Sequence, residues 1–252
     1  MSWARILGLA LSGLVMTVGV ALAAPMRVEH QIDILAQTDR GEDGWFVEPS
    51  EDANWDKWHY AVTDLNHDGN LEILKAKSSF YDGNPHLACE ELIERKWERH
   101  HAELNLAGNA HVPDILTGES AGQPSVIHDA KSNRYYYIFV ETVMHGEYES
   151  DTSQYAVCLD GDLFITELAT MNWQLSGKDG SVKVRYYISD PLKEKVSEKR
   201  YANIAAERFP GAEETGGQIY WLSAEKMWPY VQRGKLYNLL WDSYEVFLGK
   251  GR

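Results

Sequence analysis

Cysteine is nearly missing from this chain: 252 residues hold only Cys89 and Cys158. No Cys/His set has the spacing of a zinc site, so a structural zinc module is excluded. Positive charge is also scarce. Twenty-four Lys and Arg face 38 Asp and Glu, for a net charge of −14. Nucleic acid needs clustered cations to meet its phosphates, so it is excluded as a partner. An anionic membrane surface is disfavoured for the same reason. Internal repeats, low-complexity tracts and recognisable linkers are lacking too.

Long apolar runs are confined to the start. Arg5 precedes "ILGLALSGLVMTVGVALA", which ends in the small-x-small pattern Ala21-Leu22-Ala23. Residues 1–23 are therefore expected to be a signal peptide, cut before Ala24. An uncleaved anchor is the alternative, since the run is just long enough to span a bilayer. No Cys at the junction supports a lipoprotein anchor. Cleavage predicts an extracytoplasmic protein, periplasmic or secreted, with no membrane contact afterwards. Loss of Arg5 takes the charge from −14 to −15. Residues 24–252 are enough for one sizeable core and are expected to form a single domain. Export leaves two states open for Cys89 and Cys158. They could form a disulfide, worth ~4 kcal/mol in the chain-entropy model, or remain two buried thiols.

Periodicity predicts an α+β fold, an antiparallel β-meander with flanking helices. Val28, Ile32 and Leu35 share one face of a short first helix. "HYAVTD" and "LEILKAK" read as strands. "HLACEELIERKWERHHAELNL" reads as an amphipathic helix with Cys89, Ile93, Trp97, His100 or His101, and Leu104 on one face. "YYYIFVETV", "SQYAVCL", "LFITEL" and "SVKVRYYIS" form the meander, the middle pair joined at Asp160-Gly161 as a type I′ turn. Alternation in the last strand predicts one wet face. Ser197 caps a helix stapled by Val196 and Tyr201 and stopped at Pro210-Gly211, and a final helix runs through "KLYNLLWDSYEVF".

The stretch "DLNHDGNLE", residues 64–72, carries the chemistry. Three carboxylates this close repel one another unless a cation lies between them. Calcium takes about six to eight oxygens, and side chains at alternate positions wrap one centre. Asp64, Asn66 and Asp68 occupy positions 1, 3 and 5; Gly69 permits the sharp turn at position 6. Asn70 offers its carbonyl at position 7 and Glu72 a carboxylate at position 9. Position 12 is Lys75 and the flanks are strand-like, so the loop is EF-hand-like without being an EF-hand.

"YAVTDLNHDGNLEIL" resembles the calcium loops of FG-GAP/VCBS-type repeats, which set D-x-[DN]-x-DG-x-x-[DE] between two strands. The resemblance implies a Ca²⁺ ligand set of Asp64, Asn66, Asp68, Glu72 and the Asn70 carbonyl, in a hairpin at 58–78. It covers about fifteen residues and one copy, so a propeller is not implied. The layout is also similar to that of uncharacterised exported bacterial proteins with one such loop, which implies no activity.

Other signals are weaker. "GESAG", residues 118–122, matches the G-x-S-x-G elbow of carboxylesterases, with Ser120 as nucleophile. Pro124 disfavours the helix that must follow, and only His128 and His145 lie downstream. Glu98-x-x-His101 is a single Glu-x-x-His step, where di-iron bundles use two. Nine Trp and fourteen Tyr could stack on sugars, although aromatics chiefly fill cores. The expectation is an exported calcium-binding protein with a structural ion and no enzymatic activity, a glycan- or protein-binding surface module being the alternative.

Overall fold

The computed structural model describes residues 25–41, 44–77, 86–105, 123–177, 179–189 and 193–250. The leader, Ser120 and the rest of "GESAG" save nothing within these bounds and lie outside the described residues.

The chain opens with α1 (Val28–Gln37), which buries Ile32 and Leu35 as its periodicity requires. Each such side chain stabilises the fold by roughly 1.5–3 kcal/mol. The connection that follows buries Trp45, whose indole N–H donates to the Leu35 carbonyl at 2.9 Å. Next come β1 (His59–Thr63), β2 (Glu72–Lys77), β3 (His86–Ile93), β4 (Lys96–His100) and β5 (Ala102–Asn105). The meander is β6 (Ser125–Asp129), β7 (Arg134–Met144), β8 (Glu149–Asp160), β9 (Asp162–Leu175), β10 (Val182–Ser189) and β11 (Lys193–Val196). The C-terminal part holds α2 (Glu198–Ala202), α3 (Ile204–Arg208), β12 (Glu213–Thr215), β13 (Leu222–Ser223), α4 (Ala224–Val231) and α5 (Tyr237–Phe247).

Two sheets form, and the fold is α+β with mostly antiparallel pairing. The smaller has the order β13-β1-β2-β3-β4, and the larger β11-β10-β9-β8-β7-β6-β12. Strand β9 is long enough to serve two neighbours on one side. Its first part pairs in parallel with β5 and its second part with β10. One apolar core joins the sheets, from Tyr60, Leu71 and Ile73 through Tyr137, Phe139 and Ile165 to Leu240 of α5. A second cluster, with Ile138, Ala169 and Ile188, lies under Ile204 of α3 on the outer face of the meander.

The structure corrects two local expectations, a helix and a turn, and decides two points the sequence leaves open, the cysteines and the wet face of β10. The segment expected as one helix from His86 is the β3–β4 hairpin followed by β5. Glu94 and Arg95 make its tip with φ of 48° and 70°, although neither is a usual left-handed residue. Burial on both faces, at Cys89, Glu90, Glu91 and Leu92, overrides the helix propensity of this Glu-rich stretch. At the β8–β9 turn only Gly161 has positive φ, 76°, and Asp160 lies opposite Asp162, so the turn is not type I′. Cys89 and Cys158 are free, buried thiols. In β10 the Val182/Val184 side faces outward, where α2 and α3 cover only the Tyr186–Ile188 end; Val182 is 55% exposed.

The left-handed tip carries a testable cost. Glu94→Asn should raise stability by about 1 kcal/mol, because Asn tolerates this conformation better. Chemical denaturation checks it: an unchanged or lower midpoint contradicts a two-residue turn here.

Candidate metal loop and buried acid cluster

The acidic stretch connects β1 and β2, whose register runs from His59↔Ala76 to Thr63↔Glu72. Local turn chemistry shapes it. The Asn66 Oδ1 accepts from the Asp68 N–H at 3.1 Å, and the Asp68 Oδ1 from the Asn70 N–H at 2.8 Å. The Gly69 N–H points at the Asp64 Oδ1, 3.4 Å away. His67 and Gly69 take φ of 57° and 92°. A Cβ on Gly69 would lie 2.8 Å from the Pro25 ring, so packing and backbone both demand glycine.

Neighbouring elements hold the loop from two sides. Gln31 of α1 is fully buried. Its amide donates to the Gly69 carbonyl at 2.7 Å and accepts from the Leu71 N–H at 2.8 Å. From the larger sheet, the Tyr137 hydroxyl donates to the Leu65 carbonyl at 3.3 Å. The His67 ring stacks on Tyr135 with centroids 3.7 Å apart, and Tyr135 stacks in turn on His128. Burial, together with His128, lowers the His67 pKa.

Glu72 turns inward. One carboxylate oxygen accepts from the Thr63 hydroxyl and the Leu65 N–H, each at 2.9 Å. The other, Oε1, is buried without a hydrogen-bond partner. Burial drives its pKa well above the usual carboxylate range, and Asp64 is the strongest charge adding to that shift. Asp64 is itself raised to about 6, by burial first and then by Asp68 and Glu91. Asp64, Asn66, Asp68, Asn70 and Glu72 thus share one turn. Among the described residues, however, no three His, Cys, Asp or Glu side chains come together as a metal-ligand group.

Directly across the ladder from Glu72 lies Glu91 of β3. It is buried, and its Oε2 lies 2.8 Å from the His100 Nε2. The other ring nitrogen of His100 lies 2.7 Å from the Gly161 carbonyl oxygen. With Glu91 ionised both partners only accept, and a doubly protonated imidazolium satisfies them. The hydrogen bond to Glu91 accordingly raises the His100 pKa. The pair sits at the corner where β4 leaves the small sheet and β5 joins the large one. The Leu163 N–H donates to the His101 carbonyl there at 3.0 Å.

Comparison with protein-family models, curated proteins and solved structures finds no match. The chemistry therefore rests on the geometry alone.

The other candidates separate. Glu98 and His101 are exposed, the first on β4 and the second just after it, so no helical Glu-x-x-His step exists. His100, read as a partly exposed helix residue, is a buried strand residue. The large exposed rings, Tyr148, Phe164, Tyr220 and Tyr230, stand before β8, on β9, before β13 and on α4, and make no row on the meander among the described residues. Gln31, Glu91 and His100 were not singled out by sequence as partners of the loop. The usable signal was alternation: Cys89, Glu91 and the opposing His100 fall on one strand face.

Two changes probe this arrangement. Gln31→Ala strips the loop of its clamp and should cost about 2 kcal/mol, read as a lower denaturation midpoint. His100→Gln leaves Glu91 buried without a cation and should cost about 3 kcal/mol. His100 binds its proton more tightly folded than unfolded. Its contribution is complete below the ordinary value of 6.5 and is lost as pH rises through the higher folded value. The gap between wild type and His100→Gln should therefore narrow on going from pH 6 to pH 9; a constant gap argues against a charged imidazole.

Proposed function

We propose that residues 64–72 bind Ca²⁺ and that the ion is structural, in an exported protein whose leader is residues 1–23. Asp64, Asn66, Asp68 and Glu72 would offer side-chain oxygens, and Asn70 its carbonyl. The observation that carries this reading is the buried Glu72 Oε1 with no hydrogen-bond partner, next to an Asp64 that burial pushes up to about 6. An interior that removes two carboxylates from water and leaves an oxygen unmatched favours either a proton or a cation. A hard cation is the better match for an oxygen-only donor set. The N–H groups of Asp68 and Asn70 orient Asn66 and Asp68 within the turn.

The expected affinity is modest, on the order of 10⁻⁴ to 10⁻³ M, as in extracellular modules. At about ten times that concentration, calcium should raise the melting temperature by a few degrees. Asp68→Ala should abolish the increase. Identical melting curves in chelator and in millimolar calcium contradict the proposal.

The proton competes with the ion, which gives a second test. Asp64 and Glu72 have raised pKa values in the folded protein without metal. That protein therefore binds more protons folded than unfolded, and its stability falls as pH rises through the window between 3.8 and about 6 set by Asp64. Calcium needs the ionised forms. Its stabilising increment should be larger at pH 7.5 than at pH 5, as measured by calorimetry with and without the ion. An increment that shrinks as pH rises would contradict ligation by these carboxylates.

A further inference from the structure

Positive charge is sparse in this chain, yet one cleft concentrates it. Arg40, Arg95, Lys96 and Arg99 line a cavity of about 860 Å³, with Glu90 and Trp97. One wall is the end of α1 and the connection after it. The other is the β3–β4 hairpin, whose left-handed tip contains Arg95. The lone acid of this group is already matched. Glu90 is buried and takes Lys75 Nζ at 2.5 Å and Arg99 at 3.1 Å. The remaining cations are poorly paired. Arg40 has its carboxylate contact, Asp39, at 3.9 Å. Arg95 meets the His30 ring at 3.1 Å, not an acid. Lys96 forms no ion pair among the described residues. The molecule thus carries a net charge of −14 while this concavity has cations in excess.

Edge protection is the competing explanation. Strand β4 is the outer strand of its sheet, and charged side chains on an edge discourage strand addition. That accounts for Lys96 and Arg99. It does not account for Arg40, which comes from another element and faces the same space, nor for the cavity itself. Arginine forks match carboxylate and phosphate oxygens, and the half-buried Trp97 indole adds a flat apolar surface. The acidic surface beyond the cleft repels a long polyanion, which selects for a compact ligand.

We propose that this cleft binds a small polyanion bearing carboxylate or phosphate groups. The site is separate from the calcium loop and does not depend on it. Calorimetric titration of the purified protein in calcium-free, low-salt buffer, with citrate and with inorganic pyrophosphate as probes, tests it. At least one probe should bind with one-site saturation below about 1 mM. Citrate alone identifies a carboxylate ligand and pyrophosphate alone a phosphate one; each supports the proposal. Arg95→Ala with Lys96→Ala should weaken binding at least about tenfold. Arg40→Gln, on the opposite wall, should weaken it too, which covers the case where the hairpin variant fails to fold. Lys226→Ala with Arg233→Ala removes equal charge from around α4 and should leave affinity unchanged, as should Asp68→Ala. No saturable binding up to about 10 mM overturns the proposal. So does equal weakening by the α4 variant, which would reduce the effect to net charge.

Discussion

Glu72 and Glu91 face each other across neighbouring strands inside a protein core, and the surrounding structure is arranged by how each charge is met. A buried carboxylate is tolerated only when protonated, paired or fully hydrogen-bonded. The two glutamates receive different solutions. Glu91 has an imidazolium at 2.8 Å. Glu72 has a hydroxyl and one backbone N–H on a single oxygen, and nothing on the other. The first meets one oxygen with a ring of the chain itself, although the Glu91 Oε1 is, like the Glu72 Oε1, buried without a hydrogen-bond partner. The second leaves room for a cation supplied from outside.

This asymmetry also explains where the elements meet. His100 bridges Glu91 and, through its second nitrogen, the Gly161 carbonyl of the large sheet. The ion pair therefore fixes the corner between the sheets. On the other side of Glu72, the loop is anchored through Gln31 to α1 and through Tyr137 to β7. Helix, small sheet and large sheet converge on a turn of nine residues, which keeps Asp64 and Glu72 buried while Asp68 faces water.

The parts legible in the sequence are those with local causes. Alternate Asp and Asn with Gly69 dictate the turn whatever surrounds it, and β1, β2, the meander and α5 follow from their own periodicity. Ser197 caps α2 as its residue type suggests, accepting from the Arg200 N–H. Illegible parts have distant causes. The β3–β4 hairpin lacks Gly or Asn at its tip and consists of good helix formers; pairing with β2 and burial of β3 on both faces decide its state. Helix α4 was missed because Pro229 interrupts its pattern. Gln31 gave no signal at all, since its clamp depends on a loop 38 residues away.

The same anchoring favours a structural over a sensory role for the proposed ion. A calcium sensor needs an element with two arrangements of similar energy, one of which the ion selects. Here both flanking strands are fully registered, and the loop backbone is held by Gln31 and Tyr137 without any ion. An ion entering such a loop, as proposed, would meet a backbone that is little free to move. Its binding energy would go into relieving repulsion among Asp64, Asp68 and Glu72, not into displacing a helix. Occupancy would then be felt as resistance to unfolding, with no second conformation for a partner to read.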